Sequence, residues 1–281
     1  MHAIDTIHSA VTLRNGVSMP TLGLGVFKAG SAAPCIDAVF CALQQGYRHI
    51  DTAAIYRNER QVGQGLAKWR AEGHGEGSAF VTTKLWNKDH SYEAALSAFE
   101  RSRQALGLEV VDQYLIHWPV SGLRLEAWRA LERLYEHGVC RSIGVSNFTV
   151  RHLEELAQHA RVMPHVNQVE LHPLLPQPEL VQWCRRHDIQ TVAYSPLTKA
   201  RFLDDPVVLE AAGLAQKTPA QVLLRWGLEQ GHVVLPKSTH PERIAQNAAI
   251  FDFELTAKVR RLLESLAQRG ERTAWDPTDV V

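Results

Sequence analysis

Short apolar runs alternate with amphipathic stretches along nearly the whole chain. The opening segment, Val11 to Leu24, alternates around an Asn15-Gly16 dipeptide, which is a strong local signal for a β-hairpin. A strand ending at Gly23-Leu24-Gly25 follows. Strands are then predicted over Arg48–Asp51, Ala79–Lys84, Val110–His117, Arg141–Val145, His165–Glu170, Ile189–Tyr194 and Val233–Pro236. Between and after them the apolar spacing changes to that of helices. The helices are predicted over Ser31–Gln45, Asn58–Trp69, Ser91–Leu106, Leu125–His137, Thr149–Gln158, Gln177–His187, Thr218–Gln230, Pro241–Ala248 and Thr256–Gln268. Ser31 and Thr149 suit N-caps, Pro219 a first helical position, and Gly46, Gly107 and Gly138 helix ends.

The strands are apolar on both faces, as in a parallel sheet covered on each side. Eight strand-then-helix units predict a closed (β/α)8 TIM barrel, preceded by an N-terminal β-hairpin and followed by an extra C-terminal helix and tail. An open doubly wound sheet is the alternative. The 281 residues suit one such barrel, and with no linker or low-complexity stretch the expectation is a single domain, 1–281. The tail, Gly270–Val281, reads equally as a lid over the barrel mouth or as loosely ordered chain.

Charge narrows the partners. Lys plus Arg and Asp plus Glu number 30 each, so nothing suggests a nucleic-acid surface or a polybasic membrane patch, and any anion site must be local. Cys35, Cys41, Cys140 and Cys184 form no C-x-x-C pair and read as reduced thiols of a cytoplasmic protein. Met1–Ala10 has neither the basic nor the apolar region of a signal peptide, and no apolar run approaches the ~18 residues of a membrane span. A monomer is expected, since no exposed apolar stripe is evident. The 14 histidines raise the question of a metal-dependent barrel hydrolase. H-E-x-x-H is absent and Lys84 stands where a further ligand would be useful, so no metal is expected.

In such a barrel, functional side chains sit at the C-terminal ends of strands and in the loops beyond. The polar residues there are Asp51, Tyr56, Lys84, His117, Ser146, Asn147, Gln168, Glu170, Tyr194, Ser195, Lys237 and Ser238. Taken singly, an Asp after a strand is often a helix cap, a Lys a surface charge and a His a satisfied packing partner. Together, Asp51, Tyr56, Lys84 and His117 fit one task. A free phenol, with a pKa near ~10, is a poor donor at neutral pH. An adjacent Lys84 ammonium, held charged by Asp51, lowers it. His117 can orient a carbonyl oxygen. The set makes a tuned acid beside a carbonyl.

Gly46-Tyr-Arg-His-Ile-Asp51-Thr-Ala-Ala-Ile-Tyr56-Arg-Asn-Glu59 resembles the first signature of the aldo-keto reductase superfamily. Thr83-Lys84-Leu-Trp86, Asp112-Gln-Tyr-Leu-Ile-His117-Trp-Pro119, Gly144-Val-Ser-Asn-Phe148, Asn167-Gln-Val-Glu-Leu-His-Pro173, Ala193-Tyr-Ser-Pro196 and Leu235-Pro-Lys-Ser238 resemble its other motifs, in family order. The resemblance implies that Asp51, Tyr56, Lys84 and His117 are a catalytic tetrad and that NADPH lies across the barrel mouth. It further implies that Ser146, Asn147 and Gln168 grip the nicotinamide amide, with Tyr194 under the ring. Gly25, Val26 and Phe27, with Asp51, lie near the ribose and substrate, and Ser195 and Leu197 also contact the cofactor. Lys237, Ser238, Thr239 and Arg243 precede or open the last barrel helix and hold the 2′-phosphate end, where a helix N-terminus and two cations favour an anion. Gln246, at a position where many relatives carry Glu, and Asn247 face the adenine.

A Rossmann fingerprint is missing: Gly23-Leu-Gly25-Val-Phe-Lys28 lacks the third glycine, and Gly63-Gln-Gly65 lies within a helical pattern. Phe27, Trp86 and Trp118, with Tyr56 and His117, are expected to line an apolar substrate slot, the alternative being rim packing. The link from His117 to the next helix is short, which predicts an open mouth. The chain resembles compact prokaryotic reductases of 2,5-diketo-D-gluconate and methylglyoxal. The implied activity is NADPH-dependent reduction of small aldehydes, α-dicarbonyls or keto acids and esters. A non-catalytic, nicotinamide-sensing member of the superfamily is the alternative, disfavoured by the intact tetrad.

Overall fold

The computed structural model describes residues 5–30, 32–75 and 79–280. Strands β1 (Ala10–Thr12) and β2 (Ser18–Pro20) form the expected antiparallel hairpin, with Gly16 at φ +85° in its turn. The hairpin plugs one end of a barrel: Leu13 and Met19 join Phe80, Leu115, Val166, Val192, Val233 and Leu235 in one buried cluster.

The barrel strands are β3 (Leu24–Gly25), β4 (His49–Asp51), β5 (Phe80–Leu85), β6 (Val111–Ile116), β7 (Cys140–Ser146), β8 (Val166–Glu170), β9 (Gln190–Tyr194) and β10 (Val233–Leu235). Each pairs in parallel with its sequence neighbour. A bridge between Leu22 and Val234 closes the ring: Gly23 N donates to Val234 O at 3.0 Å and Gly25 N to Pro236 O at 2.9 Å. Gly23 suits this closure, since a Cβ there would lie 2.8 Å from ring atoms of the buried His49.

Helices α1 (Ala33–Gln44), α2 (Glu59–Ala71), α3 (Tyr92–Leu106), α4 (Arg124–Glu136), α5 (Val150–His159), α6 (Pro178–Arg186), α7 (Pro206–Ala215), α8 (Pro219–Glu229), α9 (Pro241–Ala248) and α10 (Ala257–Ser265) surround it. The barrel is therefore the closed form, not the open sheet. The expected Ser31 cap lies outside the described residues. Thr149 and Thr218 both open capping boxes, with His152 and Gln221 as third-position partners.

Helix α7 is absent from the sequence reading. Its start carries a clear signal: Asp205 accepts from Val207 N at 2.9 Å and Pro206 occupies the first turn. Its apolar residues surround the helix, however. Val208, Ala211 and Ala212 are buried while Leu209 and Leu214 face outwards, so the periodicity is blurred. It packs with α8 and α10 in a second core cluster around Trp226 and Leu263. Among the described residues no helix is long and apolar enough to cross a membrane.

Four histidines inside this framework make it acid-sensitive. Burial holds His49 down at about 3 and His90, His165 and His232 at about 4. The unfolded chain takes protons on these rings below pH ~6.5, whereas the folded chain resists until near 4. Stability is therefore full above ~6.5 and drains as the pH falls towards 4, by up to about 3 kcal/mol per ring. Calorimetric Tm should drop steeply between pH 6.5 and 4.5. A flat Tm over that window would show that these rings accept protons without unfolding.

Candidate active site

Because the strands are parallel and in register, their C-terminal ends bring Asp51, Lys84, His117, Ser146, Gln168 and Tyr194 to the same mouth. Lys84 is fully buried. Its Nζ donates to Asp51 Oδ1 at 2.6 Å and to Thr52 O at 2.9 Å. Asp51 Oδ2 accepts from Gln168 Nε2 at 2.8 Å. Each oxygen of the carboxylate thus has a donor, as a buried charge requires. Burial pushes the Lys84 ammonium down, while Asp51, by charge and hydrogen bond, and Glu59 oppose it.

Tyr56 ends a 3-10 turn (Ala54–Tyr56) just beyond β4. Asn58 braces that turn: it accepts from Thr52 Oγ1 at 2.8 Å and donates to Val26 O at 2.9 Å. The sequence reading missed this role, although Asn58 lies within the quoted signature. Lys84 Nζ lies 5.2 Å from the Tyr56 ring centroid. Phe27 and His117 flank the ring, with centroids at 4.9 Å and 5.7 Å.

One expectation is corrected. Lys84 does not lower the Tyr56 pKa; burial raises it well above its ordinary value, and the charges of Asp51 and Tyr194 add to the effect. The main reason is that the ring is enclosed, which disfavours the charged phenolate; the Asp51 carboxylate, 2.6 Å from the ammonium, adds a like charge.

His117 follows β6 directly. Burial, then Lys84 and His90, push it well below its ordinary value, so the ring is neutral. Its Nδ1 is enclosed without a hydrogen-bond partner. A buried N–H without an acceptor is costly, which assigns the proton to Nε2. Trp86 meets the ring edge at 5.3 Å between centroids.

On the far side, Tyr194 Oη donates to Asn147 Oδ1 at 2.7 Å, and Asn147 Nδ2 donates to His117 O at 2.9 Å and to Ser146 Oγ at 3.2 Å. Asn147 adopts φ 63°, a left-handed geometry that Asn tolerates. Both donors of this amide are spent, while Oδ1 keeps a lone pair. Gln168 keeps its Oε1 and one N–H. Ser195 has φ 50°, and it and Leu197 are partly exposed.

Beyond β10, Lys237 and Arg243 are exposed and form no ion pair among the described residues. Ser238 is buried and its Oγ accepts from His240 N at 3.1 Å, which shapes the entry to α9. Thr239 is half-buried, Gln246 exposed and Asn247 buried. Gly25 and Val26 are pinned through Pro236 O and Asp51 O, leaving Phe27 47% exposed at the rim.

The tail is anchored to the barrel rather than loosely ordered. Thr273 N and Ala274 N donate to the Glu170 carboxylate at 2.7 and 3.0 Å. Further on, Arg151 Nη2 and His152 Nε2 each reach Val280 O at 2.6 Å. Between these anchors Trp275 meets Trp118, with centroids 6.0 Å apart.

Comparison with known proteins agrees with this geometry. The model of the aldo/keto reductase family matches residues 21–268. A 9,11-endoperoxide prostaglandin H2 reductase of Trypanosoma cruzi is 48% identical over 273 residues, 96% of this chain and 95% of that protein. A glyoxal reductase of Bacillus subtilis is 45% identical over 276 residues, 98% and 99% of the two chains. An aldo-keto reductase of Bombyx mori, solved in complex with NADP, superposes with a TM-score of 0.88 at 35% identity, covering 95% of this chain and 94% of its own.

Proposed function

The chain belongs to the aldo/keto reductase family, and from that we propose an NADPH-dependent reductase of small aldehydes, α-dicarbonyls and keto acids or esters. The observation that carries this reading is the buried Asp51–Lys84 pair set against the Tyr56 ring, with the neutral His117 ring 5.7 Å from it. The glyoxal reductase among the relatives supports small dicarbonyls such as methylglyoxal, and the short loop after His117 supports an open mouth.

The residues present fit a dinucleotide. Asn147 Oδ1 and Gln168 retain hydrogen-bonding capacity at one place, which suits a carboxamide, and the partly exposed Tyr194 ring suits a stacked heterocycle. Lys237, Thr239 and Arg243, at the start of α9, are unpaired cations and a hydroxyl suited to a 2′-phosphate. Ser146, Ser195, Leu197, Gly25, Val26 and Phe27 would border the ribose and pyrophosphate path, with Gln246 and Asn247 at the adenine end.

When bound, the dinucleotide supplies the hydride for the carbonyl carbon. The chain supplies the rest. His117 Nε2–H donates to the carbonyl oxygen and orients it. Tyr56 is held protonated by its surroundings and gives its proton to that oxygen as charge develops there. Lys84 then faces the phenolate left behind, and Asp51 keeps the ammonium charged.

The test is steady-state turnover with methylglyoxal, diketogluconate and aromatic aldehydes, using NADPH and NADH in parallel. Wild-type protein should oxidise NADPH preferentially. Arg243→Ala should raise the KM for NADPH about ten-fold, the scale of one charge-assisted hydrogen bond, and leave that for NADH nearly unchanged. Equal losses would put the phosphate elsewhere, and no turnover on any carbonyl would overturn the proposal.

A further inference from the structure

Glu170, the last residue of β8, is buried and stands outside the tetrad and the dinucleotide path. Its side chain is turned to the C-terminal tail. Oε1 accepts from Thr273 N at 2.7 Å, from Thr273 Oγ1, and from His172 Nε2 at 3.1 Å, while Oε2 accepts from Ala274 N at 3.0 Å. Its own carbonyl accepts from Gln177 Nε2 at 2.7 Å, which fixes the strand end. Four donors on one buried carboxylate form a built anchor. Burial alone would lift this carboxyl; the hydrogen bonds from His172, Thr273 and Ala274 outweigh it and hold the group at about 2.

The anchored residues lead straight to the mouth. Thr273 O also accepts from Lys199 Nζ, in the loop after β9. Trp275, two residues on, is 76% exposed yet packs against Trp118, next to His117. An exposed indole in a tail of few apolar contacts keeps such a place only if its backbone is fastened. Beyond the tail's own Arg272–Asp276 pair at 3.5 Å, the nearest fastening to the barrel is Glu170, through Ala274 N.

We propose that Glu170 is a positioning residue that clamps the tail and so sets the indole wall beside the carbonyl site. This rests on the reductase reading. Ring-bearing carbonyl compounds would lean on the wall, and two- and three-carbon dicarbonyls would not need it.

The experiment pairs Glu170→Gln with Thr273→Val, which removes one donor without touching the buried strand. Two readouts are taken: the rate of tryptic cleavage after Arg272, and KM and kcat for a substituted benzaldehyde against methylglyoxal. Both variants should be cleaved faster, Glu170→Gln by about ten-fold or more as a charge-assisted anchor opens. For the benzaldehyde KM should rise about five-fold, the scale of one aromatic contact, with kcat little changed. For methylglyoxal both constants should stay within about two-fold of wild type, since that substrate lacks the ring that uses such a contact. Unchanged cleavage in both variants would overturn the clamp. A freed tail with an unchanged KM ratio would overturn the positioning role. Should wild-type protein reduce no carbonyl at all, the reaction has failed rather than the anchor, and the cleavage rates alone decide whether Glu170 holds the tail.

Discussion

Tyr56→Phe is expected to lose carbonyl reduction by about 10²- to 10⁴-fold, the usual contribution of a general acid, while binding NADPH with wild-type affinity. The change deletes one oxygen from a ring packed between Phe27 and His117, so neither the fold nor the ring position should shift. The Tyr56 hydroxyl accepts nothing from Lys84: no hydrogen bond joins them, and the ammonium is occupied by Asp51 and Thr52. Its removal therefore leaves no buried donor stranded, and Tm should stay within about 2 °C, as a change of about 0.5 kcal/mol or less implies. Fluorescence titration separates binding from turnover. Normal binding with lost turnover is the result expected of a proton donor. Wild-type turnover would remove Tyr56 from the donor role.

The barrel was legible because each strand is a continuous apolar run ended by a polar residue, and Asp51, Lys84 and His117 are three of those ends. Their convergence follows from parallel pairing alone, so their meeting at one mouth could be read before any coordinates. Two things could not. Helix α7 hid because Leu209 and Leu214 are apolar on the side away from its core, which blurs the contrast that periodicity reports. Glu170 looked like one more polar strand end, since its partners Thr273 and Ala274 lie more than a hundred residues away and carry no local signal. The direction of the Tyr56 shift was misjudged for a related reason. Sequence places a lysine near the phenol, but only the structure shows that the phenol is enclosed, and burial raises its pKa.

Lys84→Met should be the most damaging single change, because it strikes stability and chemistry together. It strips the ammonium from Asp51, which is 4% exposed and would keep only Gln168 Nε2 as a donor. Breaking one side of a buried pair costs about 3–5 kcal/mol, or roughly 10 °C in Tm for a chain of this size. Asp51→Asn in the same protein removes the stranded charge, so the double variant should recover at least half of that loss. Turnover should not follow stability back. The phenolate left by Tyr56 would still lack its cation, and activity should stay about 10²-fold or more below wild type in both variants. Thermal denaturation and NADPH turnover on the two single variants and the double one therefore divide the roles of the pair. Recovery of both would mean that Lys84 serves the fold alone. Recovery of neither would mean that methionine cannot fill the cavity the ammonium leaves, and the Asp51 charge would not be the cause of the loss.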